Sequence, residues 1–397
     1  MIDDRHAHAH AFVPYPDAPV PHARDGALAG LSFAAKDLFD VAGYPTGGGS
    51  PTLLALSGIK TRTASAVQRL LDAGARFVGK TVTDELAFSI NGLNAHFGAP
   101  VNGAAPSRIS GGSSSGSASA VSNGLCDLAL GTDTGGSVRA PASHCGLYGL
   151  RPTHGRVSLQ GTLDLAPSFD TCGWFARDAA TLARAAEVLL GMPPAPSPTR
   201  LLWPVDLWTQ LAPAAVAPAQ AAATRVQAVL GTATPVEAVL DTFDAMFWAF
   251  RHLQGREAWL THGPMIERYA PSLGPGVAER FAFSRGVTDA QVAEALAFRA
   301  RSTAHLEALL GEDGLLLLPT MPDIAPLRAE PESGLDDYRN RAIRLLCVAG
   351  LAGMPQLNLP LAGRDGAPMG LSLIGPRGSD LLLVAMALKL AAAGVGR

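Results

Sequence analysis

Residues 111–143 read GGSSSGSASAVSNGLCDLALGTDTGGSVRAPAS. The first ten alone have the composition of a flexible linker. Their continuation argues against one. A small-residue helix follows, then the apolar strand LCDLAL, then a second cluster, DTGGS. A linker has no reason to lead into a strand that returns to another Gly-Gly-Ser. Glycines let backbone amides approach a bound group closely. The segment therefore reads as two chemistry-bearing loops joined by a helix and a strand.

Phosphate cradling is the obvious rival. The P-loop pattern ends in GK[ST], and no lysine lies between Lys80 and Lys389. The dinucleotide fingerprint needs an apolar strand before the glycines, and NGAAPSRIS is not one. The same lack counts against GSSSG (112–116) as a nucleophile elbow centred on Ser114.

The bulk numbers bound the rest. The chain has 397 residues, 48% of them hydrophobic, enough for a substantial core. Charged residues make up 16% and the net charge is −3, so there is no electrostatic footprint for nucleic acid or a membrane surface. A small neutral or weakly charged molecule is the expected partner. MIDDRHAHAH is polar and opens acidic, unlike a signal peptide. The apolar run LLLVAMALKLAAAGVG is too short for a membrane span and carries Lys389. The four cysteines, Cys126, Cys145, Cys172 and Cys347, form no CxxC pair. The expectation is a cytoplasmic protein with reduced thiols.

Strands and helices alternate along the chain, which argues an α/β fold with helices covering a sheet. GLSFAAKDLFDVAG (30–43) and RFVGKTV read as strands, and TASAVQRLLDAGA (63–75) as a helix. DAATLARAAEVLLG (178–191) is a helix with Asp178 as its N-cap. From residue 192 a Pro/Ala-rich excursion begins, too apolar for a solvated linker. Residues 277–311 read as two long helices. GLLLLPT, PQLNLPL and MGLSLIG read as strands, and the chain closes on a helix.

Other motifs have bland readings. HAHAH (6–10) lacks the strand and the later ligands of a metal site. His144-Cys145 suggests a thiol nucleophile, but a small buried cysteine fits better. Thr83 or Asp84 reads as a helix cap, with Asp84 and Glu85 suiting the helix dipole. Two serine-bearing loops and Lys36, in SFAAKDLFD, remain. A serine hydroxyl needs a base to become a nucleophile, and a neutral lysine can serve. Its apolar neighbours are consistent with partial burial, yet from spacing alone Lys36 reads better as a surface lysine or ion-pair partner than as a base.

Taken together, GLSFAAKDLFDVAG, SRISGGSSSGSASA and LALGTDTGGSVRAPASHCGLYGLRPT resemble the amidase signature family. Two serines 24 residues apart, preceded by a lysine in a Lys-Asp pair, make a specific combination. DELAFSINGLNAHFGAPVN, SLGPGVAERF and LLLLPTMPDIAP extend the similarity toward plant-type indole-3-acetamide amidases. The resemblance implies the amidase signature fold, a mixed central sheet flanked by helices on both faces. It implies Ser137 as nucleophile, Ser113 as bridging serine with its peptide in the cis form, and Lys36 as base. It also implies an oxyanion hole of the N–H groups of Thr134, Gly135, Gly136 and Ser137, with Ser114, Asp133 and Arg139 shaping the loops. Ser115 stands where many members have glycine.

The expectation is one amidase domain: an arm (1–30), the signature core (31–192), a variable helical region shaping the acyl pocket (193–310), and closing strands and helix (311–397). The expected reaction is hydrolysis of a carboxylic amide to acid and ammonia, without metal or organic cofactor, on an arylacetamide such as indole-3-acetamide. Trp174 reads equally as a wall for the acyl group and as a core residue. The alternatives are an ammonia-generating subunit of a transamidation complex, a catalytically silent amide-binding protein, and a thiol hydrolase using Cys145. A homodimer is compatible with the resemblance, although no interface is legible.

Overall fold

The computed structural model describes residues 8–191, 199–330 and 332–396. Its strands are β1 (Ser32–Lys36), β2 (Arg76–Thr81), β3 (Leu128–Thr132), β4 (Tyr148–Arg151), β5 (Cys172–Ala176), β6 (Arg200–Pro204), β7 (Thr234–Val236), β8 (Gly314–Pro319), β9 (Gln356–Arg364) and β10 (Ala367–Ile374). They form one sheet in the order β2-β1-β3-β5-β4-β9-β10-β8-β6-β7. The β2-β1-β3 and β8-β6-β7 ends are parallel, and the pairings between them are antiparallel.

The helices are α1 (Pro51–Ser57), α2 (Ser65–Asp72), α3 (Ser115–Ser122), α4 (Arg139–Cys145), α5 (Ala179–Leu190), α6 (Val205–Trp208), α7 (Pro213–Leu230), α8 (Phe243–Tyr269), α9 (Val277–Arg285), α10 (Asp289–Leu310), α11 (Asp336–Ala352) and α12 (Asp380–Ala392). Strand periodicity explains why both faces are covered. Leu315 and Leu317 of β8 join the core beneath α2, α5, α7 and α12, while Leu316 and Leu318 join that beneath α8, α10 and α11. In β3, Leu128 and Leu130 face the first core, and Ala129 packs with α3 and α4. Continuous apolar runs are what such doubly covered strands require.

Small side chains explain α3. Ala118 and Ala120 are fully buried, and the Ser117 hydroxyl donates to the Leu130 carbonyl at 2.8 Å. That bond brings the helix onto β3 and sets the Gly/Ser loop at the strand's C-terminal end. The arm joins the sheet as well: Phe12 bridges Thr81, and the Val13 N–H donates to the Lys80 carbonyl at 2.9 Å. The excursion after residue 192 contributes β6 to the sheet and α7 to a face, although residues 192–198 lie outside the described ones. Of the two helices expected in 277–311, α9 is short, nine residues.

Trp174 is not a pocket residue. It is fully buried beneath α5, where its indole N–H donates to the Leu182 carbonyl at 3.3 Å. No helix among the described residues is long and apolar enough to cross a membrane.

Asp178 caps α5 as read from the sequence, accepting from the Thr181 N–H at 2.7 Å. Asp178→Ala is expected to cost about 1 kcal/mol, measurable by denaturant unfolding, with little effect on the distant site.

Candidate active site

The site forms where parallel strands β1 and β3 end side by side, with Ala35 registered against Leu130. Ligand sites in α/β sheets gather at such carboxyl ends. Lys36, the last residue of β1, is fully buried. Its Nζ lies 2.7 Å from Ser113 Oγ and 2.8 Å from Thr132 Oγ1, donating to both. Spacing alone favours a surface lysine or an ion-pair partner; the structure corrects this, since Lys36 is interior. The next residue, Asp37, alternates to the other side and pairs with buried Lys80 at 2.8 Å.

The Gly112–Ser113 peptide is cis, as the resemblance implies. Ser114 pins this loop to β3: its hydroxyl donates to the Thr132 carbonyl at 3.1 Å and accepts from the Thr132 N–H at 3.3 Å. Its own N–H donates to the Ser137 carbonyl at 3.3 Å, which sets the two serine loops against each other. Ser137 is buried and lines a pocket, and its hydroxyl has no hydrogen-bond partner among the described residues.

Asp133 organises the second loop. Its carboxylate accepts from the Gly136 and Val138 N–H groups at 2.9 and 3.0 Å, and from Arg139 Nε and Nη2 at 2.9 and 2.7 Å. Arg151 Nη1 adds a third charge-assisted contact at 3.0 Å. Burial alone would push the Asp133 carboxyl up; the two guanidinium groups reverse this and hold it well below the usual carboxylate range. The cluster corrects the expected oxyanion hole. The Gly136 N–H is taken by Asp133, leaving those of Thr134, Gly135 and Ser137 without an acceptor among the described residues. Gly136 still needs to be glycine, since φ is +116° and a Cβ would lie 2.4 Å from Leu346.

Asp84 corrects a second expectation. It is no helix cap: its side chain makes no cap bond to the short 3-10 turn at Glu85–Ala87. Its carboxylate is buried beside the lysine. It accepts from the Gly92 N–H at 3.0 Å, and its own N–H donates to the Ser113 carbonyl at 3.1 Å. A Cβ on Gly112 would lie 2.3 Å from Asp84 Oδ2, so glycine alone fits there.

Electrostatics set the state of Lys36. Burial dominates and drives its pKa down, while Asp84, Asp133 and Asp170 pull it up, leaving it at about 7. Asp84 moves the other way, raised chiefly by burial. Asp170 accepts from the Thr134 hydroxyl at 2.5 Å and from the Leu165 and Ala166 N–H groups. Thr132, Asp84, Arg151 and Asp170 were not singled out as site residues from the sequence. A charged residue inside the apolar strand YGLR was the signal available for Arg151.

Phe88, Ile90, Phe250 and Ile343 line the pocket above Ser137, with Gln254 and three arginines. Of these, Phe250, Arg251 and Gln254 come from α8, within residues 193–310.

The thiol reading fails. Cys145 donates to the Ser110 carbonyl at 3.4 Å, and burial pushes its thiol up to about 12. Its neighbour His144 bonds Tyr338 at 2.6 Å and is driven down to about 3 by burial, aided by Arg108. Of HAHAH, His6 lies outside the described residues, and His8 and His10 are exposed. Among the described residues no His, Cys, Asp or Glu side chains group for a metal.

Arg139→Met would leave Asp133 without its bidentate partner and is expected to destabilise the protein by about 3–5 kcal/mol in thermal or denaturant unfolding. Asp84→Asn removes an anion that raises the Lys36 pKa. The lysine then loses its proton at lower pH, a downward shift expected in the pH titration of Lys36 followed by NMR.

The chain matches the Amidase family over residues 14–243. Amidase 1 of Arabidopsis thaliana is 40% identical over 396 residues, covering 92% of this chain and 93% of that protein. A glutamyl-tRNA(Gln) amidotransferase subunit of Methanothermobacter thermautotrophicus is 31% identical over 401 residues, covering 93% and 86%. A crystal structure of an amidase superposes with a TM-score of 0.82 at 32% identity, covering 93% of this chain and 85% of that one. With the paired serine loops and buried lysine already in place, these similarities make the chain a member of the amidase signature family, a hydrolase acting on amides.

Proposed function

We propose that the protein hydrolyses a primary carboxamide to its acid and ammonia through a Ser137–Ser113–Lys36 relay. The observation that carries this reading is the 2.7 Å contact between Lys36 Nζ and Ser113 Oγ, in a loop bonded to that of Ser137. A neutral amine that gives one N–H to Thr132 can turn its lone pair to Ser113. Lys36 then takes the Ser113 proton as Ser113 takes that of Ser137. Ser137 Oγ attacks the amide carbonyl, and the N–H groups of Thr134, Gly135 and Ser137 receive the oxyanion. One such donor is typically worth ~2.7–4 kcal/mol. The relay returns the proton to the departing nitrogen, ammonia leaves, and water attacks the acyl-enzyme by the same path.

The apolar side chains above Ser137 support an aromatic acyl group, and indole-3-acetamide is the lead substrate. The transamidation reading, already an alternative from the sequence and in keeping with the amidotransferase relative, requires a second subunit to receive ammonia. Ammonia release by the chain alone separates the two.

The assay measures ammonia from indole-3-acetamide, phenylacetamide and an aliphatic amide. Ser137→Ala is expected to lower kcat by roughly a thousandfold or more. Full activity in that variant would sink the relay; no turnover of any amide would sink the substrate class. The relay needs neutral Lys36, so kcat/KM is expected to rise with pH through about 7 and then level off.

A further inference from the structure

Three guanidinium groups converge at the mouth of the pocket. Arg251 of α8, Arg280 of α9 and Arg339 of α11 line both the space above Ser137 and the wider vestibule outside it. They stand out in a chain whose net charge is −3. Arg280 is already engaged within the protein. Among the described residues Arg339 reaches only the exposed carboxylate of Asp336, at 3.4 Å, and its buried Nε has no hydrogen-bond partner. Arg251 is half-buried with its guanidinium 5.0 Å over the Phe283 ring, and has no hydrogen bond or ion pair among the described residues. Glu279 is the other carboxylate on the vestibule wall, with Asp336. Burial, then the like charge of Arg339, lowers the Arg251 pKa to about 10.

A desolvated cation facing another cation is costly unless an anion joins them. A planar fork with open N–H groups suits a carboxylate, which it can bind through two parallel bonds. Both line the pocket that Ser137 also lines, so the end of an acyl group remote from the amide can meet them there.

We propose that Arg251, with Arg339, forms a carboxylate subsite, and that the preferred substrate is an aryl amide bearing a carboxylate on the end of its acyl group remote from the amide. This rests on the hydrolytic reading above and narrows it: a neutral arylacetamide is cleaved, and its carboxylated counterpart is cleaved better.

The test compares para-carboxyphenylacetamide with its methyl ester, equal in ring and amide but not in charge. In the wild type, kcat/KM by ammonia release is expected to be at least about tenfold higher for the carboxylate, mostly through KM. Arg251→Gln is expected to collapse that ratio toward one, and Arg251→Lys to restore part of it. Salt at about 1 M, where the Debye length is ~3 Å, should shrink the ratio in the wild type. Circular dichroism and thermal unfolding establish that the variants are folded. A ratio of one or less in the wild type, or one that survives in folded Arg251→Gln, overturns the subsite. Calorimetric binding of both amides to Ser137→Ala judges the subsite without turnover. Tighter binding of the carboxylate supports it even if neither amide is cut, in which case only the hydrolytic reading fails; equal binding overturns it.

Discussion

A lysine amine held 2.7 Å from a serine hydroxyl, with no access to water, is the constraint around which the molecule is arranged. Burial favours the neutral amine and nearby carboxylates favour the charged one. Three buried carboxylates surround Lys36, yet burial still prevails. Part of the reason lies in Asp133. Its charge is shared between Arg139 and Arg151, so much of its field is spent before it reaches the lysine. The arginine cluster thus shapes the second serine loop and also tempers what the first one feels.

The sheet supplies the geometry. Parallel pairing of β1 and β3 places Lys36 and Thr132 at adjacent strand ends, and the helices that follow each loop are anchored on the strands beneath. Three links hold the loops in one relation: the hydroxyl of Ser114, the backbone bond between Ser114 and Ser137, and the Asp84 carboxylate packed on Gly112. Helices from the second half of the chain then roof the floor so formed. The pocket walls therefore combine residues of the first half, such as Phe88 and Ile90, with residues of the second, such as Phe250 and Ile343.

Features with a local cause were legible in the sequence. The two Gly/Ser clusters, the cap at Asp178 and the apolar strands GLLLLPT and MGLSLIG needed only composition and spacing. Features that depend on what approaches from elsewhere in the chain were not. Lys36 sits among apolar neighbours, but its burial depends on loops nearly eighty and a hundred residues away. Asp84 looks like a cap because it precedes a turn; it faces the lysine instead. Gly136 matches a donor position, and only the folded loop shows its N–H spent on Asp133. Helix α8 packs against α9, α10 and α11, so no single apolar stripe advertises which of its residues reach the pocket.

The contact between the N-terminal arm and β2 has a consequence of its own. A ten-stranded open sheet has two borders, and an unpaired border is a template for another chain. At one, β7 is only three residues long and contains Pro235, which cannot donate to a neighbour. At the other, the backbone of Ala11 and Val13 bonds to that of Val82 and Lys80, and Phe12 bridges Thr81. The polar, weakly patterned segment ahead of the first strand thus occupies the rim that would otherwise invite a second molecule to add a strand. Protection from aggregation and support of the strand next to the one that carries Lys36 fall to the same few residues.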